Sequence, residues 1–422
     1  MANHKIIFVN RYFYPDHSAT SQMLSDLAFD LARAGYSVSV VTGRQLYDRP
    51  DAALSENESV GGVKILRIWT TRFGRGGLLG RAVDYASFYL SAFSMLLRLT
   101  ASGDVIVAKT DPPLISVVCG LVALIRGAVS VNWIQDLFPE VAAELDVKAI
   151  GPIIPLARWL RNWSLRRAAC NVVLGDLMAE RLAKEKIGME GIRVIPNWAD
   201  GDQIKPVAPE GNKLRREWGL ENKFVVGYSG NLGRAHEFYT ILRAAEILRD
   251  RDDCVAFLFI GGGAQRAALE QWIDTHGLTN VLFRPYQPKE MLGLSLSVPD
   301  AHLVCLKPGL EGLIVPSKFY GIAAVGRPTL FVGDPHGEIP RVLNTVNCGY
   351  TVSAGDSEGL VRYIEVLKSN PDICRAMGQR ARAEFERRFS RVGAVAAWKD
   401  LLESLGFAAP PEHIGSDFST TF

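Results

Sequence analysis

Cysteine, net charge and long apolar runs are all scarce in this 422-residue chain. The six cysteines are Cys119, Cys170, Cys254, Cys305, Cys348 and Cys374. None lies in a C-x-x-C pair or near a histidine at metal spacing, which argues against a zinc module or a disulfide scaffold. In a run such as HLVCLKP a cysteine behaves as a small core residue, so reduced thiols in a cytoplasmic protein are expected. The formal net charge of +2 says nothing in favour of nucleic acid as a partner. No window reaches the roughly 20 apolar residues of a spanning helix. Tyr85–Leu97 and Leu114–Ile125 come nearest, so any membrane contact is expected to be peripheral. The first residues, MANHKIIFVNRYF, carry no signal-peptide pattern. Walker A and G-x-S-x-G patterns are absent, and Asp252-Asp253, in a polar loop before a strand, is not read as a metal site.

What is present is a rhythm. Apolar residues make up 48% of the chain and charged residues 22%, ordinary for a globular protein with two sizeable cores. Short β-rich runs (Ile6–Asn10, Val38–Thr42, Val63–Trp69, Val105–Lys109, Val129–Ile134, Val172–Leu174) alternate with helical patterns such as Gln22–Ala34. Runs this apolar are buried on both faces, the mark of a parallel sheet with crossover helices. Pro196, Gly201, Pro206 and Pro209 interrupt the rhythm. It resumes with Phe224–Ser229, Val255–Ile260, Val281–Pro285, His302–Leu306, Thr329–Val332 and Tyr350–Val352. The expected fold class is α/β: two Rossmann-like doubly wound domains, residues 1–199 and 200–390, facing a cleft. A C-terminal helix that packs back on the first domain and a mobile tail would fill 391–422. Ligands of such sheets lie beyond the carboxyl ends of the strands.

Five segments stand out on that frame. In GYSGNLGRAHEF, residues 227–238, a strand leads through Gly230 and Gly233 toward a helix expected to begin near His236. The helix start and Arg234 suit an anion, although glycine turns of this kind are common. In GLEGLIVPSKFYGIAAVGRP, residues 309–328, Ser317 is a capable N-cap. Lys318 puts a cation in the first turn, where the helix dipole favours anions, which suggests a bound anion sharing the site. Glu311 is suited to accept hydrogen bonds from sugar hydroxyls; both also read as surface residues. In RYFYPDHSATSQ, Ser18 or Thr20 would cap the first helix and, with Ala19, present N–H groups to an acceptor. In WIQDLFPE, Asp136 would face the cleft and orient or deprotonate an acceptor hydroxyl, or simply cap a helix. In PIIPLARWLRNWSLRRAA, Arg158, Trp159, Arg161 and Trp163 combine aromatics and cations as an interfacial helix does, or as a helix packed on the sheet with a solvated basic face.

Taken together and in order, NRYFYPDHSATSQ, WIQDLFPE, PNWAD, SGNLGRAHEF and VPSKFYGIAAVGRP resemble family-four glycosyltransferases of the GT-B architecture. The similarity is to enzymes of bacterial exopolysaccharide, colanic-acid and O-antigen assembly, over roughly residues 5 to 400. The resemblance implies a nucleoside-diphosphate sugar as donor and a saccharide, lipid-linked acceptor. It implies transfer with retention, no metal or other cofactor, and work at the cytoplasmic face of the membrane. Gly230, Asn231 and Leu232 would lie under the diphosphate, whose charge Arg234 and Lys318 would offset. Glu311 with the Gly312–Leu313 backbone would face the donor sugar beside Pro316 and Ser317. Such enzymes commonly carry a second glutamate that holds the ribose; here its position falls at Phe319 or Gly321, and the lysine usual in the phosphate loop is replaced, near His236. The same fold serves nucleotide-sugar epimerases, and a chain lacking one glutamate also fits an inactive scaffold at a membrane surface.

Overall fold

The structure is a computed structural model that describes residues 4–49, 51–74 and 77–408. Eight strands form the first sheet: β1 (Lys5–Val9), β2 (Ser37–Gly43), β3 (Asn57–Val60), β4 (Val63–Ile68), β5 (Val105–Lys109), β6 (Val129–Trp133), β7 (Cys170–Val173) and β8 (Ile192–Val194). Their order is β3-β4-β2-β1-β5-β6-β7-β8. β1, β2, β4, β5, β6 and β7 run parallel, and β3 is paired antiparallel to β4. β3 escapes the apolar pattern because its residues, Asn-Glu-Ser-Val, lie at the sheet edge and are largely exposed.

The second sheet is wholly parallel and contains β9 (Phe224–Ser229), β10 (Val255–Ile260), β11 (Val281–Arg284), β12 (Ala301–Cys305), β13 (Thr329–Gly333) and β14 (Gly349–Ser353). Its order, β11-β10-β9-β12-β13-β14, reverses direction between β9 and β12. Loops leaving the two strands at such a reversal diverge and open a crevice at the carboxyl ends. Val226, Tyr228, Phe257, Phe259, Leu303 and Leu330 fill the core beneath it.

Contacts divide the chain into two units. The first comprises Met1–Ile134, Leu160–Val172 and the chain from Val395; the second comprises Gln135–Trp159 and Val173–Ala394. Long-range ties explain the interleaving. Leu137 N–H donates to Leu313 O at 2.9 Å, and Leu177 N–H donates to the Glu338 carboxylate at 3.0 Å, so both segments cluster with the second unit. In the first unit, the helix Arg391–Ser404 sets Trp398 edge-on to Trp133, with ring centroids 4.9 Å apart. The segment expected to be a mobile tail lies, from Ala409 on, outside the described residues.

Candidate active site

The crevice of the second unit is lined by the loops after β9 and β12. They are joined by the Lys307 N–H, which donates to Ala235 O at 2.9 Å. Gly230 leaves β9 with φ +128°, a backbone conformation open to glycine but not to L side chains. The Lys318 side chain lies directly against it: a Cβ on Gly230 would meet Lys318 Cε at 2.8 Å. Lys318 Nζ stands 5.1 Å from the centroid of the Tyr228 ring and 3.1 Å from His236 Nε2. The helix expected near His236 begins at Tyr239, where the Glu237 carboxylate accepts the Thr240 N–H. His236 is thereby left in the loop, its Nδ1 2.9 Å from Cys305 O.

The electrostatics follow from partial burial. Desolvation brings Lys318 down to about 8. Burial first, then the Lys318 charge, brings His236 down to about 3, against the opposing hydrogen bond to Cys305 O. Ser317 precedes the helix Lys318–Ala324 but makes no side-chain cap, so the capping role read for it is absent. Arg234 and Asn231 are exposed on the loop. Leu232 faces the core, and its N–H donates to Gly262 O at 2.8 Å.

Gly262 belongs to an element the sequence reading overlooked. Gly261, Gly262 and Gly263 follow β10 and pack against the β9 loop. A Cβ on Gly261 would sit 2.3 Å from Gly230 O, and one on Gly263 2.4 Å from Asn231 Oδ1. The signal was available as three consecutive glycines at the end of FLFI. Tyr286, largely exposed, donates its hydroxyl to Gly262 O at 3.1 Å.

Glu311 is 7% exposed. Its Oε2 accepts the Glu338 N–H at 3.2 Å, the first N–H of the helix Glu338–Val346, while Oε1 has no hydrogen-bond partner among the described residues. Burial pushes its carboxyl up to about 7, the nearby Asp334 and Glu338 carboxylates adding to the rise while the Glu338 N–H and Arg181 oppose it. Gly312 has φ +70° and lies against the Arg181 side chain. The Leu313 backbone, expected to face a donor sugar, is committed elsewhere: its N–H donates to Leu310 O and its carbonyl accepts from Leu137. Pro316 is buried. Asp136 is exposed and lies three residues past the end of β6, its backbone bridged to Ile314. The structure thus brings Asp136 and the Glu311 segment together, a neighbourhood no local pattern announces.

In the first unit, Ser18 precedes the helix Ala19–Arg33 without a side-chain cap. Its N–H and hydroxyl both donate to Asp16 Oδ1, whose other oxygen accepts the Tyr47 N–H at 2.6 Å. Asp16, not Ser18 or Thr20, therefore organises this loop, and Thr20 is simply the second helical residue. The interfacial helix also needs correction. In Ile154–Arg167, Arg158 and Trp159 are exposed and Arg158 pairs with Glu140 at 2.9 Å. Arg161 is only 6% exposed and bonds Asn162 Oδ1, and Trp163 is half-buried facing Gly120. A helix amphipathic in one dimension cannot show which stripe another helix will cover.

Comparison with known proteins bears on what this crevice does. Residues 19–198 match the glycosyl transferase 4-like domain, and residues 211–384 match the glycosyl transferases group 1. WbjE of Pseudomonas aeruginosa, named as a glycosyltransferase, is 30% identical over 283 residues, 65% of this chain and 70% of that protein. The chain belongs to the group 1 glycosyltransferases. A second relative of this glycosyltransferase is WcaI of Escherichia coli K12, named for colanic acid biosynthesis. It is 26% identical over 356 residues, 81% of this chain and 86% of that protein. Among solved structures, the sucrose-phosphate synthase of Thermosynechococcus elongatus superposes with TM-score 0.76 at 16% identity, covering 96% of this chain and 99% of its own. Anabaena HepE, solved with UDP and glucose, gives TM-score 0.71 at 16% identity, covering 95% and 100%. At such identities the likeness is one of fold, and the fold is GT-B: two parallel-sheet α/β domains. No described helix of the glycosyltransferase is long and apolar enough to cross a membrane. Among the described residues, one group of potential metal ligands is compact, Asp252, Asp253 and Cys254, and there Asp252 is paired with Lys368.

Proposed function

We propose that this glycosyltransferase moves a sugar from a nucleoside-diphosphate donor, held in the crevice of the second unit, to a lipid-linked saccharide during cell-surface polysaccharide assembly. The observation that carries the donor assignment is the Lys318 side chain lying against Gly230 at the reversal point of the sheet. Bond cleavage at the anomeric carbon leaves negative charge on the diphosphate. Lys318, with Arg234 on the exposed loop above, supplies positive charge there without a metal ion. The buried Glu311 Oε1, with no hydrogen-bond partner among the described residues, is the atom suited to a donor-sugar hydroxyl. With retention, the departing phosphate oxygen takes the acceptor proton, so no strong protein base is needed. The name of WcaI, which cites colanic acid biosynthesis, supports polysaccharide work, and the UDP complex of HepE supports a nucleotide donor.

The lipid-linked acceptor finds support in the first unit. Helices Leu78–Leu99 and Ile115–Arg126 pack side by side and expose Leu79, Val83, Leu90, Leu121, Leu124 and Ile125. The one acid on these helices, Asp84, is buried and faces Arg11, so the outward charges are Arg81, Arg98 and Arg126. An apolar face on two helices whose outward charges are all cationic suits an anionic lipid surface. The deciding experiment incubates the enzyme, in EDTA, with a panel of nucleotide sugars and lipid-linked acceptors, and follows nucleoside-diphosphate release and the anomeric configuration of the product. Release that needs acceptor, with retention, is expected. Epimerised donor formed without acceptor, or strict dependence on a divalent ion, would overturn the proposal.

A further inference from the structure

The glycine loop after β9, residues 230–237, contains Arg234 but no lysine. The lysine beneath it is the first residue of the helix Lys318–Ala324, and it meets His236 of the glycine loop, 82 residues earlier, end to end. The chemistry of that meeting is fixed by the other side of the ring. Cys305 O can only accept, so His236 Nδ1 must carry the proton and donate to it. Nε2 of the neutral ring then presents a lone pair, and the atom 3.1 Å away is the Lys318 ammonium, which can only donate. The ring itself is wedged edge-on against Tyr228 and Phe238, at centroid distances of 5.9 and 6.0 Å, and cannot swing away without breaking that packing.

We propose that His236 is a positioning residue for Lys318: braced by Cys305 O, it accepts a hydrogen bond from the ammonium and holds the charge under Gly230 for the donor diphosphate. This rests on the donor-site reading above. A lysine has four rotatable side-chain bonds, and an unheld one would sample many positions at an entropic cost paid on each binding event. With the Gly230 backbone on one side, Tyr228 below and the imidazole at its tip, Lys318 is organised before the donor arrives. The arrangement also works in reverse. A protonated imidazole would offer the lysine no lone pair and would repel it, so the ring must stay neutral across the working range, as its burial ensures. The other titratable groups facing this pair are Tyr228 and Cys305, both kept neutral by burial, with Tyr286 behind Tyr228 and Glu237 behind Cys305.

Two substitutions separate positioning from packing. His236→Gln supplies an amide N–H for Cys305 O and a carbonyl for Lys318. His236→Phe keeps the ring against Tyr228 and Phe238 and loses both hydrogen bonds. The probe is whichever of UDP, GDP, ADP and dTDP the unaltered protein binds, titrated from pH 7 to 10. His236→Phe is expected to weaken binding about tenfold and to move the alkaline loss of affinity down by about one pH unit, because the charged lysine loses its acceptor. His236→Gln should stay within about threefold of the parent protein. Parent-like binding by His236→Phe, with or without impairment in His236→Gln, would overturn the positioning role and leave only packing. Lys318→Ala tests the underlying site: undiminished nucleoside-diphosphate binding in that variant would overturn the donor assignment itself, whatever the histidine variants do.

Discussion

Two side chains in the second unit carry opposite burdens of burial. Lys318 is driven down toward neutrality to about 8, and Glu311 up to about 7, in each case chiefly because desolvation disfavours the charged form. The glutamate has a consequence for stability. Its folded value lies above the unfolded one, so the folded chain holds the extra proton between about pH 4.5 and 7, and stability falls as pH rises through that window. Glu311→Gln should flatten that decline, by on the order of 3 kcal/mol at most, as read from denaturant unfolding at stepped pH. Glu338, also raised by burial, contributes with the same sign and will remain. Gly230→Ala tests the close approach directly. Its Cβ would sit 2.8 Å from Lys318 Cε at a φ of +128°, so the lysine or the loop must move. A loss of nucleoside-diphosphate affinity of about tenfold or more, by calorimetry, is expected with the fold intact.

Helices decide where surfaces go. The helix Arg391–Ser404, a charged amphipathic helix in the sequence expected to pack back on the first domain, carries Trp398 of the first unit, fully buried against Trp133. Trp398→Ala should destabilise that unit by about 3–5 kcal/mol, visible as a lowered thermal midpoint. Helix Ile154–Arg167 is the converse case. Its Trp and Arg residues suggested an interface, but Arg161 is buried and Trp163 half-buried. Leu156 and Trp159 stay exposed on it, and six further large apolar side chains are exposed on helices Leu78–Leu99 and Ile115–Arg126, which the sequence marked only as too short to span. Leu90→Glu combined with Leu124→Glu should abolish flotation with phosphatidylglycerol vesicles. Both positions are exposed, so the melting temperature should hardly change.

At the level of the whole molecule, this group 1 glycosyltransferase is built as two parallel-sheet domains, and the two cations of the proposed donor site, Arg234 and Lys318, follow β9 and β12 of one sheet. Lys318→Ala should cut kcat by about 100-fold or more, and Arg234→Ala, on an exposed loop, by about tenfold, in an assay of nucleotide release. The fold was legible because doubly buried strands read as continuous apolar runs: Val105–Lys109, Phe224–Ser229 and Val255–Ile260 coincide with β5, β9 and β10. The edge strand β3 was not, since a polar, solvent-facing strand has no such pattern. The candidate site was half legible. Glycine loops and a Pro-Ser-Lys helix start mark themselves locally, so Gly230 and Lys318 stand out in the sequence alone. The capping roles of Ser18 and Ser317 were not realised: the Ser18 hydroxyl donates to Asp16, and Ser317 already has helical backbone angles and makes no side-chain cap.

The sequence by itself determined the alternation of strands and helices, the two sheets, and which loops carry glycine and charge, because each depends on residues a few positions apart. Tertiary structure decided which of those loops meet. Lys318 lies beneath Gly230, and His236 bears on it, because the strand order reverses between β9 and β12. Glu311 sits on the helix Glu338–Val346, and Asp136 beside Ile314, through pairings that span from 27 to well over a hundred residues. Periodicity reports which face of an element is apolar; only packing fixes what that face, or a loop's charge, is set against.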